Sequence, residues 1–125
     1  MIVSDDRVAR FVGERLGAAF VPPYTCMGIE RAGKIVAGVI FNVFEGCDVH
    51  VTVAGSGWTR DFLSEVGHYV FTTLGKERMT AITERPEVVK FGERLGGKVE
   101  GLLRSHLGKG RDAFVIGILK DDYPW

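Results

Sequence analysis

A short extended run, a glycine-rich turn and a helix start follow one another between positions 49 and 60. The run is Val49-His50-Val51-Thr52-Val53-Ala54, and the turn is Gly55-Ser56-Gly57-Trp58-Thr59-Arg60. A helix N-terminus offers unpaired N–H groups and a partial positive charge, and glycines let an anion approach the backbone without a Cβ in the way. Ser56 and Thr59 suit a helix cap or a phosphate contact, and Arg60 could add a charge-assisted hydrogen bond. The stretch is therefore either an ordinary turn before a helix or a phosphate-binding turn.

One histidine lies where it could take part in proton transfer. His50 is on the extended run before the turn, and an imidazole can take a proton from an amine near neutral pH. A lone histidine on a strand is also a common structural residue, so both interpretations stay open. The other histidines, His68 and His106, are far away in the sequence, and no cysteine or histidine has short paired spacing. We therefore expect no metal site.

Helical and extended periods alternate along the chain and predict the elements that must position this turn. Apolar residues recur at helical spacing over residues 5 to 16, 58 to 74 and 87 to 95, and each of these helices is followed by a glycine. Strand-like runs cover residues 25 to 31, 34 to 45, 49 to 54, 78 to 83, 98 to 104 and 112 to 119. An antiparallel meander followed by strand–helix–strand units predicts an α/β domain with a mixed central sheet flanked by helices.

Composition limits the classes of function. A chain of 125 residues fits one domain over residues 1 to 125, and 16 basic against 16 acidic residues leave no net charge to attract nucleic acid or a membrane. A basic tip consists of Arg104, His106, Lys109 and Arg111, and no aromatic residue is interleaved with it. No apolar run is long enough to span a bilayer. Two cysteines without metal spacing, and no apolar leader after Met1, predict a reduced cytoplasmic protein.

The order of elements over residues 28 to 119 resembles the GNAT superfamily of N-acetyltransferases. Recognisable counterparts occur in its ribosomal-protein acetyltransferase branch for Trp58-Thr59-Arg60, Leu74-Gly75, Glu93-Arg94-Leu95-Gly96 and Glu100-Gly101. The chain is also similar to short, divergent acetyltransferase-like proteins, including ones carried by phages and prophages. The resemblance implies a GNAT-like acyl-CoA N-acyltransferase fold.

The resemblance also implies a site for acetyl-coenzyme A (acetyl-CoA) as co-substrate. The strands over residues 49 to 54 and 78 to 83 should start as parallel neighbours and then splay apart. The pantetheine arm would lie in the gap and bond to the main chain of Val51, Thr52 and Val53. The pyrophosphate would bind the amides of Gly55, Ser56, Gly57, Trp58, Thr59 and Arg60. Some members of the family keep a carboxylate on the hairpin strand that deprotonates the amine through water, and Glu30 is a candidate for it; a solvated edge residue is the alternative.

Two functions follow from how the family motifs are occupied. The second motif usually resembles Asn-x-x-Ala-x-x-Phe-Tyr-x-x-x-Gly-Phe, and here Arg85 replaces the Asn, Gly92 the Tyr and Gly97 the last Phe. In the family that Tyr is often the general acid that protonates the leaving thiolate. We expect either acetyl transfer from acetyl-CoA to a primary amine of a small molecule or protein, with His50 as proton acceptor, or a non-catalytic binding or assembly module. A nucleic-acid binder that uses the basic tip is the third hypothesis, and nucleic acid is an unlikely partner.

The chain ends in two aromatic residues, Tyr123 and Trp125, which a free solvated tail has little reason to carry. We expect this tail to pack against its own domain or against a second subunit. The strand over residues 112 to 119 is expected at an edge of the sheet, where another chain could pair. A homodimer is the assembly that this arrangement would allow.

Overall fold

A seven-stranded mixed sheet forms the centre of the computed structural model, which describes residues 1 to 125. The elements are β1 Ile2–Val3, α1 Asp6–Leu16, β2 Tyr24–Arg31, β3 Lys34–Glu45, β4 Asp48–Gly55, α2 Arg60–Gly67, a π-helix His68–Thr73, β5 Arg78–Thr83, α3 Pro86–Arg94, β6 Lys98–Leu103, β7 Ala113–Leu119 and a final 3₁₀ turn Lys120–Asp122. The strands lie in the order β1-β2-β3-β4-β5-β7-β6, and only β4 and β5 are parallel neighbours. None of the helices has the length and apolar character needed to cross a membrane.

α1 packs closely on one face of the sheet, against β2, β3 and β4. Asp5 caps its first turn by accepting a hydrogen bond from the amide of Arg7, and Gly17 ends it in the left-handed conformation with φ of 63°. Val8 of the helix is fully buried, and a Cβ on Gly38 of β3 would lie 2.8 Å from its Cγ1 atom. A glycine on the strand is therefore what lets the helix approach the sheet so closely.

α2, α3 and the C-terminal tail cover the opposite face of the sheet. The largest side chains of the core are buried there, and they are Phe41, Phe62, Met79 and Ile116. Burial of one such side chain contributes about 1.5 to 3 kcal/mol to folding. Because these residues come from β3, α2, β5 and β7, the same core holds α2 in a fixed position over the middle of the sheet.

Two elements differ in detail from the sequence prediction. β1 was not expected, because a strand of two residues is too short to show an alternating pattern. The helix expected over residues 58 to 74 is α-helical only over Arg60–Gly67 and continues as a π-helix over His68–Thr73. The wider turn places Val70 and Phe71, which are adjacent in sequence, both in the core.

The expectation that the last strand lies at a sheet edge is wrong. β7 lies between β5 and β6 and pairs with both. The edge strand is β6, which is exposed along its whole length. The tail packs on its own domain, since the Tyr123 hydroxyl donates a hydrogen bond of 2.6 Å to the Leu63 carbonyl of α2.

Candidate functional site

β4 and β5 are hydrogen-bonded to each other only near their N-terminal ends. The register contains three pairs, which are Asp48 with Arg78, Val49 with Met79, and His50 with Thr80. Beyond these pairs the two strands splay apart, while β4 stays paired with β3. Alternate residues of a strand direct their N–H and C=O groups to the same side, so Val51 and Val53 offer theirs to the gap. The splay implied by the family resemblance is therefore present.

Cavities lie on both faces of the sheet at this gap. On the side of α1, a cavity of about 300 Å³ is lined by both strands, by the segment after α1 and by the start of α3. On the other side, a small apolar cavity of about 40 Å³ is lined by residues of α2 and α3. Both cavities are lined by Val51, Val53, Ala81 and Val88. The gap therefore connects the two faces of the sheet.

The turn after β4 needs glycine for two reasons. Gly55 and Gly57 have φ values of 97° and 87°, which side chains rarely adopt. A Cβ on Gly55 would also overlap with the carbonyl oxygen of Val36 on β3. The same carbonyl accepts a hydrogen bond of 3.1 Å from the amide of Ser56, so the turn is fixed against β3.

A run of backbone amides at the start of α2 has no acceptor within the protein. The N–H groups of residues 57 to 61 donate to neither a carbonyl nor a side chain, whereas the Phe62 amide donates to the Thr59 hydroxyl at 3.1 Å. Thr59 therefore acts as the N-cap of α2, and the amides before Phe62 stay free. Together with the partial positive charge of the helix, they form a cradle that fits a phosphate group.

Two arginines flank this cradle, and only one of them was anticipated. Arg60 lies in the first turn of α2, with its guanidinium 5.0 Å from the ring centre of Trp125. Arg31, at the end of β2, donates a hydrogen bond of 2.9 Å from Nη2 to the Gly57 carbonyl. Sequence reasoning missed Arg31, because its proximity to Gly57 depends on the register that aligns β2, β3 and β4. The hairpin predicted from the sequence could have indicated this contact, because it places the end of β2 level with the start of β3.

Trp58 is mainly a packing residue. Its ring stacks on Phe91 of α3 at 5.2 Å and contacts Phe62 of α2 at 5.6 Å between ring centres. The side chain thus joins the start of α2 to the middle of α3 over the apolar cavity, while its backbone amide belongs to the free run. Of the predicted cofactor-binding residues, Trp58 therefore offers a main-chain group and not its indole.

His50 lies at the point where β4 and β5 part. Its Nε2 atom is 3.8 Å from Oδ2 of Asp48, and both side chains are close to one third exposed, at 30% and 29%. The Thr80 hydroxyl lies 2.9 Å from each oxygen of that carboxylate and holds it in place. The imidazole is therefore reachable from solvent and has a carboxylate beside it.

Arg78 extends this polar cluster across the sheet. Its guanidinium lies 2.7 Å from Glu100 of β6 and 3.6 Å from Asp48 of β4. The hydrogen bond that Arg78 donates to the Glu100 carboxylate raises the pKa of Arg78 above its usual range. Gly117 of β7 leaves room for the pair, because a Cβ there would overlap with Glu100. Arg78 thus places a positive charge beside Asp48 as well as beside Glu100.

The structure does not bring Glu30 and His50 together. Glu30 is paired with Arg7 of α1, and only 12% of its side chain is exposed. His50 is level with Asn42 of β3 and Tyr24 of β2. Tyr24 and Glu30 are separated along β2 by about 20 Å. The two predicted proton acceptors therefore lie toward opposite ends of the sheet.

The residues that depart from the family's second motif also have definite positions. Arg85 precedes α3, and its Nη2 donates a hydrogen bond of 2.6 Å to the Val53 carbonyl across the gap. Gly92 of α3 faces β7, and a Cβ there would lie 3.1 Å from Cγ2 of Ile116. Gly92 therefore lets α3 pack close to the sheet, and no hydroxyl is present at this position.

No family model and no curated protein matches the sequence, but solved structures match the fold. A variant of the spermidine N-acetyltransferase SpeG from Vibrio cholerae has a TM-score of 0.79 at 15% identity, over 99% of this chain and 97% of that one. A GNAT-family protein from Desulfovibrio desulfuricans has a TM-score of 0.71 at 18% identity, over 96% and 99%. Vibrio cholerae SpeG in complex with manganese ions has a TM-score of 0.65 at 18% identity, over 93% and 75%. The chain has the GNAT fold, and the α/β fold prediction is confirmed.

Proposed function

We propose that this protein transfers an acetyl group from acetyl-CoA to a primary amine. The observation that carries the proposal is the splay of β4 and β5 together with the free amides of residues 57 to 61 beside it. The gap offers strand-edge groups for an extended amide-bearing arm, and the turn offers a phosphate cradle at its end. A ligand that combines such an arm with a pyrophosphate fits both features at once.

The chain's own residues would hold the co-substrate in two places. Val51 and Val53 would bind the pantetheine arm through their main-chain groups, with Thr52 between them. The amides of residues 57 to 61 would bind the pyrophosphate, with Gly55 and Ser56 shaping the turn, and Arg31 and Arg60 are the cations nearest to it. When bound, acetyl-CoA would supply the acetyl group as a reactive thioester.

His50 is our first candidate for the proton acceptor. It lies at the closed end of the gap, and Asp48 is placed to stabilise the imidazolium that forms when the amine loses its proton. Glu30 remains the second candidate, and its ion pair with Arg7 would have to be compatible with that role. Substitution of each residue separates the two hypotheses.

The test combines binding with turnover. Acetyl-CoA should raise the melting temperature, because a ligand that binds only the folded state stabilises it in proportion to ln(1 + [L]/Kd). Release of the free thiol should then be followed with a panel of amines that includes spermidine, which is the substrate named for the SpeG structures. No thermal shift at about millimolar acetyl-CoA would refute the proposed site.

A non-catalytic binding or assembly module is the second candidate function. It is favoured by Gly92, which stands where the family usually has its acid Tyr and which packs against Ile116. A protein that binds CoA but releases thiol with no amine in the panel would support this alternative. Thiol release with any amine would refute it.

We also propose that two copies of the chain associate through β6. All residues of this edge strand are exposed, and among them Val99 and Leu102 are 45% and 49% exposed. An unpaired strand edge can pair with its own copy about a two-fold axis. Light scattering should give the mass of a dimer, and Leu102→Lys should give the mass of a monomer.

A further inference from the structure

Arg85 crosses the gap that the proposed function assigns to the pantetheine arm. Its guanidinium donates a hydrogen bond of 2.6 Å from Nη2 to the Val53 carbonyl, and the side chain lines the cavity of about 300 Å³. The backbone of Arg85 is held on both sides. Its amide donates to the Thr83 hydroxyl at 3.0 Å, and its carbonyl accepts from Val88 at 3.1 Å. The side chain is therefore directed across the gap from a fixed base.

The Val53 carbonyl is one of the few acceptors on the open edge of β4. Val51 and Val53 direct their main-chain groups into the gap, whereas Thr52 and Ala54 direct theirs to β3. An arm that lies along β4 as an additional strand needs these same groups. The Val53 carbonyl has a second lone pair, but the guanidinium occupies the space between the strands where such an arm would lie.

We propose that Arg85 sets the affinity of the gap by closing it, so that an amide-bearing ligand must displace the guanidinium from Val53 before it can bind. This inference rests on the proposed function. A hydrogen bond with an ionised donor is stronger than one between neutral groups, so the closed state is favoured in the free protein. If the gap is closed about nine-tenths of the time, the apparent affinity falls about tenfold.

The experiment compares Arg85→Gln with Lys90→Gln. A glutamine at position 85 is too short to reach Val53, so the gap stays open. Lys90 is exposed on α3, so its substitution removes the same charge without touching the gap. Two ligands are titrated by calorimetry: coenzyme A, and pantetheine, which carries the same arm without phosphates.

We expect Arg85→Gln to bind pantetheine about tenfold more tightly than the wild type and Lys90→Gln to bind it equally. Coenzyme A should also bind Arg85→Gln more tightly than it binds Lys90→Gln. Unchanged pantetheine affinity with weaker coenzyme A binding would overturn the inference and would make Arg85 a phosphate ligand, while the proposed function stands. If neither the wild type nor Arg85→Gln binds coenzyme A, the proposed function fails and the inference fails with it.

Discussion

The phenol of Tyr123 lies 2.6 Å from the carbonyl oxygen of Leu63 and anchors the C-terminal tail on α2. The Tyr123 ring packs on Gly67, where a Cβ would lie 2.5 Å from its Cε2 atom, and it meets Phe71 edge-on at 5.5 Å between ring centres. Because α2 presents the free amides, this contact links the end of the chain to the proposed phosphate cradle.

Tyr123 should make folding stability depend on alkaline pH. Burial raises the pKa of this phenol, so the folded protein keeps a proton that the unfolded chain loses above about pH 10. The contribution of Tyr123 to folding stability is therefore complete below that pH and is lost as the pH rises further. Tyr123→Phe should cost about 1 kcal/mol at neutral pH through the lost hydrogen bond, and it should weaken the alkaline decline. Urea unfolding at about pH 8 and about pH 11 measures both effects.

Tyr24→Phe serves as the control for that experiment. Tyr24 makes a longer hydrogen bond of 3.4 Å to Asp6 at the surface. The alkaline decline should change less in this variant than in Tyr123→Phe. If the free energy of unfolding falls equally with pH in the wild type, Tyr123→Phe and Tyr24→Phe, the Tyr123 phenol is not protected by burial.

Gly57→Ala should weaken coenzyme A binding more than it lowers stability. A Cβ at this position would displace the guanidinium of Arg31 and would stand beside the free amides. Gly33→Ala is the matched control, because Gly33 also has a positive φ but has no atom near a built Cβ. The melting temperatures of both variants should fall by a similar amount, because each substitution strains the backbone. Only Gly57→Ala should raise the Kd for coenzyme A. An equal Kd in the two variants would show that the turn is not part of the binding site.

Arg31→Gln should weaken coenzyme A binding about fivefold, because the Nη1 group beside the cradle is available for a phosphate oxygen. The difference from the wild type should shrink as salt is added, since an exposed charge is screened. Lys34→Gln, at the other side of the same hairpin turn, removes one charge without contacting Gly57 and should leave the Kd nearly unchanged. An equal loss of coenzyme A affinity in the two variants would indicate a general effect of charge and not a contact made by Arg31.

His50→Ala should lower kcat by about 10²- to 10⁴-fold and leave the coenzyme A Kd unchanged, because a proton acceptor acts in the transition state. His68→Ala, an exposed histidine of the π-helix, should have no effect. If His50→Ala turns over normally while Glu30→Gln does not, the role of proton acceptor passes to Glu30.

The positions of the strands and of the glycine-rich turn were predictable because their signals are local. Alternating β-branched residues predict β4, and the Gly55-Ser56-Gly57 turn stands directly after it. The contact between Arg31 and Gly57 was not predictable in this way, since it depends on the register across three strands. The hydrogen bond from Arg85 to Val53 likewise depends on how far β4 and β5 diverge, which no local pattern specifies.

The order of the last two strands could have been inferred from composition. β6 contains Lys98 and Glu100, which suit an edge strand, whereas β7 has no charged residue that would protect an exposed edge. The π-helix after α2 had no such signal. Its residues Val70 and Phe71 are both buried in the core, and such tertiary contacts are not visible in the local sequence pattern.

The short register between β4 and β5 has a consequence for motion. The strands from β1 to β4 and those from β5 to β7 are each contiguous in sequence, and the backbone seam that joins the two halves has three residue pairs, extended at its closed end by two hydrogen bonds to the Cys47 carbonyl. Amide protons that face the gap beyond this seam should therefore exchange with solvent faster than those in the β3–β4 ladder. An arm bonded along β4 would lengthen the seam, so exchange should slow on both sides of it when the ligand binds.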